Sequence, residues 1–215
     1  MRVLTWNLYH GRSRPPAGRS LEREFAAALA GWAWDVALLQ EAPPWWPPAL
    51  ADAAGASARW VLTSRNAGLP VRRALAVWLP DVLKSEGGGS NAILVRGPVR
   101  AHRWTELTRR PERRVAHGAQ LGDGTWVVNV HATLRPPERT RADGVATLAA
   151  EQAWAAGAPL VIGGDFNQRR PVLEGLDRVA THLVDHVFAA GGARDPEVLD
   201  AGPLSDHRPV AVTLA

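Results

Sequence analysis

Five short strings place amide, carboxylate or imidazole side chains at the ends of apolar runs. They are Thr5-Trp6-Asn7, Leu39-Gln40-Glu41, Asn129-Val130-His131, Gly163-Gly164-Asp165-Phe166-Asn167 and Leu204-Ser205-Asp206-His207-Arg208-Pro209-Val210. A polar residue that ends an apolar strand emerges at the rim of a sheet, where a solvent-facing site sits. The chain has no cysteine, so disulfides and thiolate metal sites are excluded, and any metal must be held by oxygen or imidazole. Each string alone also has a plainer explanation. Asn7 could cap a turn, Glu41 could be a solvated strand end and His131 a structural histidine. Gly-Gly-Asp-Phe-Asn could be a turn whose glycines supply positive φ.

The elements that must carry these residues are short apolar strands, bounded by Gly, Pro or Asp. They are read at residues 2 to 7, 36 to 40, 60 to 63, 74 to 79, 92 to 95, 115 to 121, 126 to 131, 160 to 163, 183 to 188 and 209 to 214. Gly122-Asp123-Gly124 between two of them is a hairpin turn signal. Helical periodicity marks residues 21 to 32, with Ser20 as N-cap, and residues 137 to 156, where Gly144 weakens the middle. Two stretches are read as loops near a site: Ala42 to Pro48, which holds Trp45 and Trp46, and the basic run from Arg100 to Arg114. Runs of strands with few helices predict two packed sheets rather than a strict βαβ alternation.

At 215 residues, 46% of them hydrophobic, the chain can bury one sizeable core, so a single domain over residues 1 to 215 is expected. No apolar run approaches the roughly 20 residues needed to cross a bilayer. The N-terminus enters a strand at once, with no signal-peptide pattern, so a cytoplasmic monomer with no membrane association is expected. The net charge of +4 comes from arginine, since Lys84 is the one lysine. Arginine is the better fork for phosphate oxygens, although a chain rich in Ala, Arg, Gly and Pro is also what GC-rich coding produces.

Taken together and in this order, the five strings resemble the endonuclease/exonuclease/phosphatase superfamily, the group with deoxyribonuclease-I-like and exonuclease-III-like enzymes. The resemblance runs from Trp6-Asn7 to Asp206-His207 and includes Ser90-Asn91-Ala92-Ile93-Leu94, similar to the family's central strand. It implies a four-layer α/β sandwich, with two mixed β-sheets packed face to face and helices on the outside. It also implies a site. Glu41 matches the carboxylate that binds a divalent cation, supported by Asn7, with Asp206 as a further ligand. Mg²⁺ is the cofactor implied, with Mn²⁺ able to substitute, and oxygen donors suit both.

The same resemblance gives His207 the place beside the scissile phosphate and makes Asp185 the carboxylate that orients it. His186 follows Asp185, and on a strand the two must face opposite ways. Asp165 matches the residue that positions or deprotonates the attacking water, Asn167 a donor to phosphate oxygens, and His131 the second imidazole. Glu86 is a candidate carboxylate partner for His131. Arg113 or Arg114 resembles an arginine that binds substrate phosphate.

The function implied is metal-dependent hydrolysis of a phosphoester, with nucleic acid as the substrate. The alternatives are a phosphatase or phosphodiesterase acting on a small-molecule or lipid-headgroup ester, and a non-catalytic binding module on the same fold. Trp45 and Trp46 have two readings, as platforms for unpaired bases or as packing for the Pro-rich loop.

Overall fold

A computed structural model describes residues 1–63, 68–79, 89–110, 112–134, 143, 147 and 157–215. The described strands form two six-stranded sheets. The first contains β1 (Arg2–Asn7), β2 (Val36–Ala42), β3 (Ser57–Leu62), β4 (Ser90–Val95), β11 (Ala193–Val198) and β12 (Val210–Leu214), in the order β11-β12-β1-β2-β4-β3. The second contains β5 (Val99–Thr108), β6 (Arg114–Leu121), β7 (Trp126–His131), β8 (Leu160–Asp165), β9 (Asp177–His182) and β10 (Asp185–Ala189), in the order β5-β6-β7-β8-β10-β9.

Each sheet is antiparallel except for one central parallel pair, β1 with β2 and β7 with β8. Parallel neighbours present their C-terminal ends side by side. Asn7, Glu41, His131 and Asp165 therefore emerge at strand ends, and the antiparallel neighbours β10 and β12 begin at the matching ends, next to Asp185 and after His207. The register is direct in the second sheet, where His131 pairs with Asp165 and Asp165 with Asp185.

The sheets meet across a core of mostly β-branched residues, among them Val3, Val36, Leu38 and Ile93 from the first and Val127, Val161 and Val187 from the second. Period-two alternation turns the intervening residues outward. Leu4, Trp6 and Leu39 pack on Phe25 and Leu29 of α1 (Glu22–Gly31) and Leu50 of α2 (Pro47–Ala53). Removing the Phe25 ring from this layer would cost about 3–5 kcal/mol. Beneath the site, Gln40 donates to Asn129 Oδ1 at 2.7 Å, and Asn129 donates to the Leu39 and Ala92 carbonyls at 2.8 Å each. This buried latch ties the sheets together and occupies the Leu39 carbonyl where the β2–β4 register shifts. The fold is the expected sandwich of two mixed sheets with helices outside. No helix among the described residues is long and apolar enough to cross a membrane.

Four local expectations are corrected. Residues 74 to 79, read as a strand, lie mostly in a helix, α3 (Leu69–Trp78), with Pro70 in its first turn; a short apolar run does not distinguish the two states. The run from Arg100 lies up to Thr108 in edge strand β5, whose polar side chains are half-exposed against β6, and of its basic residues only Arg109, Arg110 and Arg113 fall in the connection to β6. The Pro-rich stretch is a loop over residues 43 to 46, as expected, but its last two prolines, Pro47 and Pro48, open α2, where a missing N–H costs nothing. Ser20 does not cap α1, whose N-cap position is Leu21 without a side-chain bond. Strands β9 and β11 carry no apolar alternation and were not foreseen; β11 is exposed throughout. The helix expected at 137 to 156 lies outside the described residues except Asp143 and Thr147, which are helical.

Candidate active site

Among the described residues, Asp185 and His207 form the closest carboxylate–imidazole pair of the site. Asp185 begins β10, and His207 sits in the connection into β12, pinned by Ser205 and Trp6. Ser205 Oγ donates to the Asn7 carbonyl at 2.6 Å and accepts from His207 N at 3.1 Å, while Trp6 Nε1 donates to the His207 carbonyl at 3.1 Å. Held this way, His207 Nδ1 meets Asp185 Oδ2 at 2.7 Å. Burial pushes the imidazole down, but the hydrogen bond and charge of Asp185, with Asp165 and Asp206 nearby, raise it to about 9. Nε2 is left facing Asp165 Oδ2 at 4.0 Å and Asp206 Oδ1 at 3.9 Å. His186, on the opposite face, bonds Thr181 and the Gln168 carbonyl at 2.7 Å each and packs against Phe166, so the alternation assigns the aspartate to the site as expected.

Asp165 is buried at the end of β8. Its Oδ2 accepts from Asn7 Nδ2 at 3.0 Å and its Oδ1 from Asn167 N at 2.8 Å. Burial and the neighbouring Asp185 raise its pKa, against the pull of His207, Asn167 and Asn7. The two preceding glycines have separate reasons. A Cβ on Gly164 would lie 1.9 Å from the Val130 carbonyl oxygen, and one on Gly163 would lie 2.7 Å from Leu38 Cδ1 across the sheet interface. Asn167, at φ 50°, donates Nδ2 to the Ala132 carbonyl at 2.7 Å. Its second amide hydrogen remains for another acceptor.

Glu41 leaves β2 at the register shift, with φ 51°. Burial opposes its ionisation, but the hydrogen bond and charge of His10, with His131 and Arg114, hold its carboxyl well below the usual range. His131 Nε2 stands between Glu41 Oε1 at 3.7 Å and Asp165 Oδ2 at 3.6 Å. Burial, then the charge of Arg114, lower this imidazole well below its ordinary value, which leaves it neutral. A line of side chains thus runs Asp185, His207, Asp165, His131, Glu41. Ligand atoms of Asp165, Asp185 and His207 lie within 4.8 Å of one another. Protonated His207 offers no lone pair, so the donor of this line that best fits a hard cation is Glu41, whose carboxyl is held ionised.

The Endonuclease/Exonuclease/phosphatase family model matches residues 4–207, which spans every one of these side chains. The chain belongs to the endonuclease/exonuclease/phosphatase family. No curated protein matches it by sequence. Similar solved structures include a functionally unknown conserved protein from Enterococcus faecalis V583, 16% identical with a TM-score of 0.73, covering 100% of this chain and 99% of that one. A mannosyl-6-phosphatase from Bacteroides thetaiotaomicron VPI-5482 is 15% identical, TM-score 0.71, with 100% and 99% covered. Humanized D. rerio TDP2 is 14% identical, TM-score 0.68, with 100% and 98% covered. At these identities the likeness is one of fold.

Against the family pattern, the structure brings Asn7, Glu41, His131, Asp165, Asn167, Asp185, Asp206 and His207 to one end of the sandwich. Asn7 uses both amide atoms on protein groups, Nδ2 on Asp165 and Oδ1 on Tyr9 N at 3.0 Å. Asp206 is held by Arg14, 2.7 Å from Oδ2. The two arginines separate. Arg114 is buried and acts electrostatically on Glu41 and His131. Arg113 turns to Glu106 at 3.0 Å and the Leu62 carbonyl at 2.9 Å, and Arg109 also pairs with Glu106. Glu86 lies outside the described residues. Trp46 packs on Phe25 and closes over Gly11, the packing role. Trp45 lines a cavity of about 510 Å³ with Trp60, Leu62 and Arg73. The residue missed by sequence reading is His10, 2.9 Å from Glu41.

Proposed function

We propose that this chain is a phosphoester hydrolase dependent on a divalent cation, Mg²⁺ or Mn²⁺, with nucleic-acid phosphodiesters as substrate. The line of contacts from Asp185 through His207, Asp165 and His131 to Glu41 carries the reading. Glu41, supported by Asn7 and Asp206, would hold the cation. Once bound, it supplies charge neutralisation to the phosphoryl oxygens. His207, kept protonated by Asp185, presents Nε2–H toward the phosphoryl group and stabilises charge that grows in the transition state. Asp165 orients the attacking water and takes its proton, for which a raised carboxyl pKa is suited. Neutral His131 and the free amide hydrogen of Asn167 donate to phosphate oxygens.

Support for a polyanionic substrate comes from exposed arginines that adjoin the site in sequence: Arg169 and Arg170 just beyond Asn167, and Arg208 next to His207. A second reading, a compact phosphate monoester or diester, is favoured by the pairing of Arg109 and Arg113 with Glu106, which removes two cations from the basic stretch.

The test is hydrolysis of plasmid DNA and single-stranded oligonucleotides beside bis-p-nitrophenyl phosphate and sugar or inositol phosphates. EDTA is expected to stop turnover and Mg²⁺ to restore it, and His207→Ala and Asp165→Ala should abolish it in folded protein. Cleavage of the small esters alone, at every salt concentration, would select the second reading. Turnover that survives thorough chelation would overturn both.

A further inference from the structure

The turn after β1 is built in an unfavourable backbone conformation that places the Tyr9 ring against Arg12 and Arg14 and brings His10 onto Glu41. Tyr9, His10 and Gly11 have consecutive φ values of 49°, 56° and 77°. Left-handed backbone is rare for residues with a Cβ, and two such residues in a row persist only where surroundings impose them. Here they do. Leu8 N donates to the Gln40 carbonyl at 2.8 Å, tying the turn to the strand that carries Glu41. Tyr9 N donates to Asn7 Oδ1 at 3.0 Å, and Gly11 N to the Leu8 carbonyl at 2.8 Å. Gly11 admits no side chain, since a Cβ there would lie 2.3 Å from the Trp46 ring.

The constrained turn delivers His10 Nε2 to 2.9 Å from Glu41 Oε2, on the side of the carboxylate away from His131, which faces Oε1 at 3.7 Å. The other ring nitrogen, Nδ1, is buried with no hydrogen-bond partner among the described residues. A ring with an unbonded Nδ1 and its proton on Nε2 has one polar engagement, the bond it donates to Glu41.

We infer that His10 is a positioning residue for the cation-binding carboxylate: it occupies Oε2 and sets the plane of the Glu41 carboxylate so that Oε1 is presented to the cation. This inference rests on the proposed role of Glu41 as a cation ligand. Side chains that orient a ligating carboxylate change metal affinity about 10–100-fold when removed.

The experiment measures Mn²⁺ binding to the metal-stripped full chain by calorimetry. His10→Ala is compared with His10→Asn, which tolerates left-handed backbone but is too short to reach Oε2, and with His10→Gln, which can restore a donor. Mn²⁺ affinity is expected to fall at least about tenfold in the Ala and Asn variants and to recover to within about threefold of wild type in Gln. The Mn²⁺ concentration for half-maximal turnover should shift in parallel, while turnover at saturating Mn²⁺ changes less than affinity does. If His10→Ala does not fold, His10→Asn carries the comparison. Unchanged Mn²⁺ affinity in a folded variant lacking the donor would overturn the role of His10. Failure of the wild-type chain itself to bind Mn²⁺ or Mg²⁺ would instead overturn the reading of Glu41.

Discussion

Asp185 Oδ2 lies 2.7 Å from His207 Nδ1, and the aspartate's other oxygen, Oδ1, is buried with no hydrogen-bond partner among the described residues. The carboxylate is therefore committed to one imidazole. That single bond decides which ring nitrogen faces the cleft and leads the causes that lift the imidazole against its burial, to about 9.

Asp185→Asn removes the charge and keeps the shape. A histidine whose pKa is raised keeps its proton until pH passes the folded value, so activity that requires imidazolium is present below about 9 and lost above it. Losing Asp185 lowers that limit. Steady-state kcat/KM from pH 6 to 10 should fall roughly 10²–10⁴-fold at its maximum, with the basic limb displaced to lower pH. A basic limb that does not move would show that His207 is not the titrating group.

Asp165→Asn should separate stability from function. Asp165 has an ordinary pKa of 3.8 that burial and Asp185 raise in the folded chain. The folded state therefore holds its proton more tightly than the unfolded state does, and the ionised carboxylate counts against folding at higher pH. In EDTA at pH 8, melting of the Asn variant should rise by about 2–6 °C, corresponding to roughly 1–2 kcal/mol, with a smaller gain at pH 5. Turnover with Mg²⁺ should fall at least about 10³-fold. A variant that melts lower at pH 8 than wild type would mean that Asn7 and Asn167 stabilise the ionised carboxylate more than burial penalises it.

How much of this was legible in advance depends on range. Asn7, Glu41, His131 and Asp165 end strands that belong to the two parallel pairs, so apolar runs that stop at polar residues marked the site before any contact was known. For Asp185 and His186, strand alternation required that they face opposite ways, and the family resemblance selected the aspartate. His10 was invisible for the opposite reason: its contact with Glu41 depends on left-handed φ at Tyr9 and His10, which neither residue type signals. Arg113 and Arg114 are adjacent, yet Arg113 lies before β6 and pairs with Glu106, whereas Arg114 begins β6, is buried and pairs with Glu112 while its charge acts on Glu41. Strand β5 escaped because an edge strand buries too little apolar surface to show a period.

Gly164→Ala should be among the most damaging single changes in the chain. At φ 148° its added Cβ would meet the Val130 carbonyl oxygen at 1.9 Å and its carbon at 2.9 Å, and backbone on the neighbouring strand cannot retreat. The expected cost is more than about 3 kcal/mol, seen as a melting temperature lower by about 6 °C or more, with loss of activity because Asp165 follows directly. Gly31→Ala at the end of α1 is the control. Its Cβ meets nothing within 4 Å, so it should change stability by less than about 1 kcal/mol. Similar melting of the two variants would remove the steric account of Gly164.

Two histidines outside the site should govern acid unfolding. His117 is buried on β6, with Nδ1 3.2 Å from His102 Nε2 and its own Nε2 without a hydrogen-bond partner among the described residues. His186 is held between Thr181 and the Gln168 carbonyl. Burial depresses them to about 3 and about 4 respectively, from 6.5. Because the folded values are depressed, the unfolded chain binds more protons between the two limits. Their contribution is intact above pH 6.5 and is lost as pH falls toward 4 and then 3, at up to about 2.7 kcal/mol per pH unit for two protons. Urea unfolding of the metal-free protein at pH 7, 5.5 and 4.5 gives the slope. His117→Gln with His186→Gln should be less stable than wild type at pH 7 yet show a shallower decline with acid. The slope rather than the neutral-pH stability is the diagnostic quantity, since Asp165 and Asp185, with raised values, act in the opposite direction in both proteins. Equal slopes would assign acid unfolding to the other groups with depressed values, His131, His102 and Glu41.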